Sequence, residues 1–394
     1  MAAFLASFRR NFMVFWRYIR SHTSDFRHRA DIFLLVLSCI CTVYGLVLIS
    51  SATKALPGKT YMPVQIFAFV LGLALYYVFT VLDVEIIAKK VGLLIFFEFA
   101  IMGLLIPFGV SGDTGNKGWL RFFGIGIQPS EIAKVVFIIL MAKHMTFLKE
   151  YKNINSFLSM FTLVVHFLLT FGWIMITAED LGSAVVFAAI FVVMMIVAGV
   201  KLYWFLIGSA VVALGIPVLW NNFLDEYQRQ RIRAPYDPTV DPTGWGITWQ
   251  STRSKLAMKS GQFLGVGLGN GTQTQNNWLT GKHTDFIFSM AGEELGMLAC
   301  LIIMLLLTIV IIHCVMVGLH SNNTMSMLVC MGVASSIFFQ MLVNVGMCIG
   351  ITPVIGITLP FFSYGGSSLM STFAAVGLVS GAKYRPIPQQ FHRY

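Results

Sequence analysis

The chain has 394 residues, of which 57% are hydrophobic and only 11% are charged. A soluble domain carries roughly 25% charged residues, so this composition excludes an ordinary soluble enzyme and indicates a protein that crosses a membrane several times. In a soluble protein, the net charge of +10 would suggest nucleic acid as a partner. Here no basic and aromatic strand surface and no zinc-ligand spacing accompanies the charge, so we expect no nucleic-acid partner and no structural metal.

The first 31 residues form a basic tail with a helical pattern. At 100° per residue, Phe4, Phe8 and Phe12 share one face, whereas Arg10 and Arg17 lie on the other. This pattern predicts an amphipathic helix lying in the cytoplasmic membrane interface. We interpret the tail as an anchor, and the alternative is an arm that binds a partner.

Ten apolar segments after the tail are long enough to span a bilayer. The predicted spans are residues 32–51, 61–82, 91–108, 130–148, 157–178, 181–199, 202–220, 285–316, 323–350 and 366–382. We therefore expect an all-α polytopic membrane domain over residues 32–382, with one large loop at 221–284. If the spans alternate, most lysines near their ends fall on the side of the basic tail. The positive-inside rule then places both termini, including the tail 383–394, in the cytoplasm and the large loop outside.

Several polar groups in and between these spans require an explanation. Glu131 and Lys134 are three residues apart on one helix face and form either an architectural ion pair or part of a site. Asp180 precedes a span and is a good helix N-cap. The external loop carries seven basic and four acidic residues, which suits an anionic ligand but also fits an ordinary solvated surface.

Two further segments indicate a site near the membrane surface. Residues 352–368 are apolar but interrupted by prolines and glycines, which predicts a re-entrant segment with serine hydroxyls facing a cavity, or else a kinked helix end. Asp285 lies where the large loop enters an apolar segment. A carboxylate there marks a functional site by default, although Asp285 could also be only a cap residue.

Three groups of motifs resemble the SEDS family (shape, elongation, division and sporulation), which includes RodA, FtsW and SpoVE. They occur in the family's order along nearly the whole chain after the tail. The groups are Lys117-Gly118-Trp119 with Gln128-Pro129-Ser130-Glu131; Tyr227-Gln228, Gln250-Ser251, Gly271-Thr272-Gln273 and His283-Thr284-Asp285-Phe286; and Leu359-Pro360-Phe361-Phe362-Ser363-Tyr364. The chain departs from the pattern at Gly118, where the family has arginine, at Ala178-Glu179, and at Thr280-Gly281-Lys282, where it has Leu-Pro-Glu.

The resemblance implies a peptidoglycan glycosyltransferase that polymerises lipid II on the outer face of the bacterial cytoplasmic membrane, for elongation or for division. It also implies a class B penicillin-binding protein as partner. Asp285 would be the general base in a displacement with inversion, and Lys117, Arg121 and Arg231 would compensate pyrophosphate charge. Trp119 would stack on a sugar or anchor its segment in the interface.

The remaining residues expected at the substrate are Glu131, Lys134, Gln250, Ser251, Gln273, His283, Thr284, Ser363, Ser367 and Ser368. A divalent cation, Mg²⁺ or Mn²⁺, could assist at the pyrophosphate, but no dedicated ligand cluster is visible in the sequence.

Two other classes of function stay open from the sequence. A lipid II flippase would also use intramembrane polar groups and a cavity, although such transporters often carry inverted repeats and none is visible here. A scaffold that only holds the penicillin-binding protein would leave Asp285 and the basic loop without a role. Residues 270–273 and the pair Phe361-Phe362 favour the RodA branch over the division branch.

Overall fold

The computed structural model describes residues 26, 30–56, 60–110, 117–122, 125–222 and 224–383. The amphipathic helix predicted for the basic tail falls almost entirely outside these residues, as does most of the tail 383–394. The boundaries of both tails therefore stay predictions.

Before the large loop, the described chain is helical apart from one antiparallel hairpin. The first elements are α1 Ile32–Thr53, α2 Tyr61–Val81, α3 Val84–Ala88, α4 Val91–Gly103, α5 Leu105–Phe108, β1 Leu120–Phe122 and β2 Ile125–Ile127. They are followed by α6 Pro129–Tyr151, α7 Phe157–Ala178, α8 Leu181–Ala198 and α9 Leu202–Asn222. Pro129 occupies the first turn of α6, where its missing N–H costs nothing.

The large loop is broken into short helices, as its prolines and glycines predict. It contains α10 Glu226–Arg233, a 3₁₀ turn at Pro238–Val240, α11 Trp249–Gly261 and α12 Thr272–Gln275. The chain then continues through α13 Ile287–Glu294, α14 Gly296–Leu319, α15 Thr324–Ile349 and α16 Gly366–Lys383.

The predicted all-α polytopic fold is confirmed. Eight described helices, or pairs of consecutive helices, are long and apolar enough to cross a membrane. Helices α6 and α16, with 23 and 18 residues, are also of spanning length but are almost entirely surrounded by protein. Polar side chains in their buried parts, such as Glu131 and Lys134, therefore face the bundle interior, where they can be paired.

The predicted eighth span was wrong at its start. It was placed at residues 285–316, but α13 ends at Glu294 and a new helix begins at Gly296, whose φ is +80°. A Cβ on Gly296 would lie 2.4 Å from the Gly265 nitrogen and the Phe263 carbonyl oxygen. The break therefore lets the large loop pack against the helix junction. It also separates Asp285 from the membrane span by the whole of α13.

Contacts at one end of the bundle support the predicted alternation of spans. Asp31, the N-cap of α1, accepts hydrogen bonds from His313 Nε2 at 2.6 Å and from Lys383 Nζ at 2.9 Å. Burial opposes ionisation of Asp31, but these two hydrogen bonds outweigh it and lower its pKa. The start of α1 and the ends of α14 and α16 therefore share one face of the bundle.

The segment between α15 and α16 has no helical structure over residues 351–365, which confirms the predicted interruption. Residues 357–363 are buried against the bundle. A Cβ on Gly45 would lie 2.7 Å from the carbonyl oxygen of Phe361, so α1 and this segment touch backbone to backbone. Irregular backbone at this depth is covered by protein, which is the condition under which a membrane protein tolerates it.

Candidate active site

Asp285 lies in a tight turn that immediately precedes α13. Gly281, with φ of +66°, begins the turn, and its carbonyl accepts from the N–H groups of Thr284 and Phe286, both at 3.0 Å. Phe286 takes the N-cap position of α13. The alternative that Asp285 is the cap residue of this helix is therefore wrong, and its side chain is half-buried.

Three consecutive carbonyl groups of this turn are held by other parts of the bundle. The backbone N–H of Tyr364 donates to His283 at 2.8 Å, and the Ser363 hydroxyl donates to Thr284 at 2.6 Å. Asn344 Nδ2 donates to the Asp285 carbonyl at 2.8 Å. Because the backbone is fixed at each residue, the position from which the Asp285 carboxylate projects is fixed too.

Aromatic rings surround the neighbouring His283. Its ring lies 4.8 Å from that of Tyr61 and 5.6 Å from that of Tyr364, between ring centroids, and the two tyrosine rings are 5.1 Å apart. Tyr61 begins α2, whereas Tyr364 belongs to the segment before α16. The turn with Asp285 is thus packed between two distant parts of the chain.

A second polar cluster lies inside the bundle on α6 and α15. Lys134 Nζ donates to Glu131 Oε2 at 2.8 Å, and Gln340 Nε2 lies 3.4 Å from Glu131 Oε1. Both charged side chains are only 8% exposed. The predicted pairing of Glu131 with Lys134 is therefore confirmed, and the two side chains line a small cavity together with Thr358.

Asp180 belongs to this second cluster, which the sequence did not predict. It caps α8, as expected, by accepting from the Ser183 N–H at 3.2 Å. It also accepts from the Ser183 hydroxyl at 2.6 Å and from Gln128 Nε2 at 3.1 Å. Burial raises the pKa of Asp180 despite these hydrogen bonds. Ser367 accepts from the Gln128 N–H at 3.0 Å, and Ser368 is 3.0 Å from the Thr358 hydroxyl.

One face of α15 connects the two clusters. Gln340 contacts Glu131, and Asn344, one turn later, bonds both Asp285 and the carbonyl of Ile357 at 2.7 Å. The predicted residues therefore lie in two polar clusters that α15 joins: His283, Thr284, Asp285 and Ser363 in one, and Glu131, Lys134, Ser367 and Ser368 in the other. Sequence reasoning missed Gln340 and Asn344, although their spacing of four residues puts two amides on one face of an apolar helix.

Two buried carboxylates hold the large loop against the bundle. Glu293 accepts from the N–H groups of Gln273 and Thr274 at 2.7 and 2.9 Å. Glu294 accepts from the Gly269 N–H at 2.8 Å and from Gln275 Nε2 at 2.7 Å. It also accepts from the Ser51 hydroxyl of α1 at 2.5 Å. Both side chains are fully buried. The predicted residue Gln273 is thus fixed through its backbone by Glu293.

Lys282 occupies one of the positions at which the chain departs from the family pattern. Its side chain is buried, and its Nζ donates to the Thr274 carbonyl and to Asn277 Oδ1. Burial lowers the pKa of Lys282, whereas Glu294 and Glu293 act to raise it. The lysine therefore ties the turn before Asp285 to α12.

The predicted cations near the first motif lie at the surface. Lys117 forms an exposed ion pair with Glu179, with 3.7 Å between nitrogen and oxygen. Arg121 is exposed on β1, and Trp119 is half-buried against Gly126 of β2. The structure thus places all three on or beside the hairpin that precedes α6.

The large loop contains a cavity of about 380 Å³. Arg231 and Ser251 line it, and Lys255 reaches it from α11. The neighbouring Gln250 donates to the Thr280 hydroxyl at 2.7 Å, which connects this region to the turn with Asp285. Within the described ranges, no group of three or more histidine, cysteine, aspartate or glutamate side chains is arranged to hold a metal ion.

These features define a polytopic membrane protein with a carboxylate site at one mouth of its helix bundle. A family model described as cell cycle protein, FtsW/RodA/SpoVE, matches residues 30–385. The chain belongs to this family.

Curated relatives come from both branches of the family. The chain is 30% identical to the probable peptidoglycan glycosyltransferase FtsW of Trichlorobacter lovleyi over 368 residues, covering 91% of this chain and 95% of the relative. It is 35% identical to the peptidoglycan glycosyltransferase MrdB of Escherichia coli K12 over 273 residues, covering 67% of this chain and 70% of the relative. The choice between elongation and division therefore stays a prediction.

Two solved structures share the fold. One is a chain from a structure described as "Structural coordination of polymerization and crosslinking by a peptidoglycan synthase complex". It has a TM-score of 0.73 and 27% identity, and the match covers 89% of this chain and 96% of that chain. The other, the rod shape determining protein RodA of Thermus thermophilus, has a TM-score of 0.65 and 24% identity, covering 90% and 96%. At that identity, the second likeness shows the fold alone.

Proposed function

We propose that this protein is a peptidoglycan glycosyltransferase that polymerises lipid II, with Asp285 as the general base. The observation that carries the proposal is the turn in which three consecutive carbonyls, those of His283, Thr284 and Asp285, are held by the bundle. A fixed and half-buried carboxylate at a membrane mouth suits proton abstraction. The curated relatives are described as peptidoglycan glycosyltransferases, which supports the same reaction class.

The proposed reaction is a single displacement. A sugar hydroxyl of the acceptor attacks the anomeric carbon of the donor, and Asp285 takes the hydroxyl proton as the new carbon–oxygen bond forms. The bond from the anomeric carbon to the pyrophosphate breaks, and the pyrophosphate leaves with its lipid, so the configuration inverts. Because pyrophosphate is a good leaving group when its charge is compensated, no second carboxylate is needed as an acid, in contrast to glycoside hydrolysis.

Cations of the protein would compensate the charge of the leaving pyrophosphate. Arg231 borders the cavity of the large loop, Lys117 lies beside the hairpin and Arg121 lies on its first strand. Guanidinium groups suit phosphate oxygens because they donate two parallel hydrogen bonds. A divalent cation, Mg²⁺ or Mn²⁺, would act on the same oxygens if it arrived with the substrate.

The proposal includes a location and a partner. Lys383 and the start of α1 share one end of the bundle, together with the basic residues that the positive-inside rule assigns to the cytoplasm. We therefore place both termini in the cytoplasm of a bacterium and the turn with Asp285 outside the cytoplasmic membrane. The partner would be a class B penicillin-binding protein, which agrees with the coupling of polymerization and crosslinking described for one structural relative.

A lipid II flippase is the second candidate, and the buried pair of Glu131 and Lys134 favours it. Intramembrane charges often mark transport pathways. In this structure, however, both charges are already paired with each other, and Gln340 lies beside Glu131. A flippase would also work without a proton acceptor at Asp285.

The test is glycan-strand synthesis from purified lipid II by the purified protein with its penicillin-binding partner. Asp285→Asn keeps the shape of the side chain but removes the base, and we expect polymer formation to fall by at least 10²-fold. Glu226→Gln, at a carboxylate of the same loop whose side chain is 67% exposed, is the matched control and should polymerise normally. Equal activity of Asp285→Asn and the native chain would refute the assignment of the base. Lipid II translocation without polymer from the native complex would favour the flippase.

A further inference from the structure

Three tryptophans of the large loop surround one arginine. The Arg253 guanidinium lies 3.9 Å from the ring centroid of Trp249, 5.0 Å from that of Trp278 and 5.8 Å from that of Trp245. The rings of Trp245 and Trp249 stack with centroids 4.5 Å apart. We call these four residues the tryptophan cluster.

The cluster is open to solvent although it is made of large apolar rings. Trp245 is 73% exposed and Trp278 is 44% exposed. Grouped exposed aromatic rings on a protein surface indicate a binding site rather than core packing.

Within the described part of the chain, the arginine at the centre has no compensating carboxylate. No described acidic side chain forms an ion pair with Arg253, and its Nε atom is buried without a hydrogen-bond partner. Its Nη1 reaches only the neutral amide of Gln273, at 3.4 Å. A positive charge held between aromatic rings therefore stays available for a carboxylate of a ligand.

The loop segment that carries Trp245 is fixed in advance. Asp241 accepts from the N–H groups of Gly244, Gly246 and Thr248 at 3.1, 2.9 and 3.1 Å. A short hydrogen bond from the Thr248 hydroxyl is the main reason that the pKa of Asp241 is lowered to about 2. A pre-ordered segment loses less conformational entropy when a ligand binds.

The cluster adjoins both the cavity and the turn with Asp285. The residues that immediately precede the two stacked tryptophans, Gly244 and Thr248, line the cavity of about 380 Å³. This volume is within the range of ligand pockets, roughly 300–1,000 Å³. Gln250, next to Trp249, bonds Thr280, five residues before Asp285. A ligand lying on the tryptophans would therefore extend from the proposed reaction site.

We propose that the tryptophan cluster binds the glycan strand during polymerisation, an inference that rests on the proposed function. The rings would pack against the apolar faces of successive amino sugars, and Arg253 would pair with a carboxylate of the peptide substituents. A polymerase gains from such a surface because it keeps the strand beside the reacting groups between additions. A membrane-interface anchor is the competing explanation for exposed tryptophans.

The test measures binding of lipid-free, uncrosslinked glycan strands that carry peptides to the purified protein, by isothermal titration calorimetry. We expect Trp245→Ala, Trp278→Ala and Arg253→Gln each to weaken binding about tenfold or more, because tryptophan and arginine are the side chains whose loss costs most at binding surfaces. Trp245→Phe should restore most of the affinity. The matched control is Trp204→Ala at the opposite end of α9, which should bind as the native chain does.

Two outcomes would overturn the proposal. One is equal strand affinity for the native chain and all three cluster variants. The other is that the emission of Trp245, measured as the difference between the native chain and Trp245→Phe, is quenched by brominated lipids and unaffected by strands, which would identify an anchor. The probe has no pyrophosphate and undergoes no reaction, so binding is independent of Asp285. Strand binding by a chain that fails to polymerise lipid II would leave this proposal standing and count against the proposed function alone.

Discussion

Replacing Glu293 with alanine should release part of the large loop from the bundle. The fully buried carboxylate accepts from the Gln273 N–H at 2.7 Å, from the Thr274 N–H at 2.9 Å and from the Thr274 hydroxyl at 2.7 Å. A hydrogen bond to a charged group contributes about 1.5–3 kcal/mol. Allowing for water that enters the space left by the side chain, we expect the free energy of local opening to fall by about 3–5 kcal/mol.

Hydrogen exchange measured by mass spectrometry on peptides covering residues 269–277 checks this magnitude. A loss of about 3 kcal/mol corresponds to more than a hundredfold faster exchange of these amides when exchange follows local opening. Glu226→Ala is the matched control, because Glu226 lies in the same loop with a side chain that is 67% exposed. Unchanged protection in Glu293→Ala would show that the loop keeps its place without this carboxylate and would refute the reasoning.

Three further changes test other contacts. Gly45→Ala should lower the melting temperature in detergent, because its Cβ would lie 2.7 Å from the Phe361 carbonyl oxygen; an unchanged melting temperature would contradict the close packing. Lys134→Met should destabilise the bundle by about 3–5 kcal/mol by leaving Glu131 buried and unpaired, and adding Glu131→Gln should recover most of the loss in thermal unfolding. Burial lowers the pKa of Lys282 in the folded chain. At pH values between that lowered pKa and 10.5, the unfolded chain therefore binds more protons than the folded chain does. Stability should therefore rise with pH in this window, and Lys282→Met should remove that part of the rise in melting temperature.

The sequence predicts the membrane architecture well because hydropathy is a local property. Each predicted span corresponds to one helix or to two consecutive helices, and only the eighth began in the wrong place. The break at Gly296 follows from contacts with Gly265, whose own Cβ would lie 2.3 Å from the Glu294 carbonyl oxygen. Such a steric requirement depends on residues that are far apart in the sequence, so a hydropathy pattern does not predict it.

The candidate site is only partly predictable for a related reason. The motifs place Asp285 and Ser363 in the site, and the structure joins them through the Thr284 carbonyl. Asn344 donates one hydrogen bond to the Asp285 carbonyl of the turn and one to the Ile357 carbonyl of the segment before α16. A single asparagine in an apolar helix is compatible with many roles, and only the fold shows which carbonyls it meets.

Asp285, the proposed base, is more accessible than the glutamates near the site. All four oxygens of Glu293 and Glu294 accept hydrogen bonds from the protein, and both side chains are fully buried. Glu131 is likewise buried and paired with Lys134. A substrate hydroxyl could reach these carboxylates only by displacing protein donors, which costs the hydrogen bonds already made. Asp285 is half-buried, and its turn is held through backbone carbonyls. Its backbone position is therefore fixed while its side chain stays partly exposed, which agrees with the proposed role as a base.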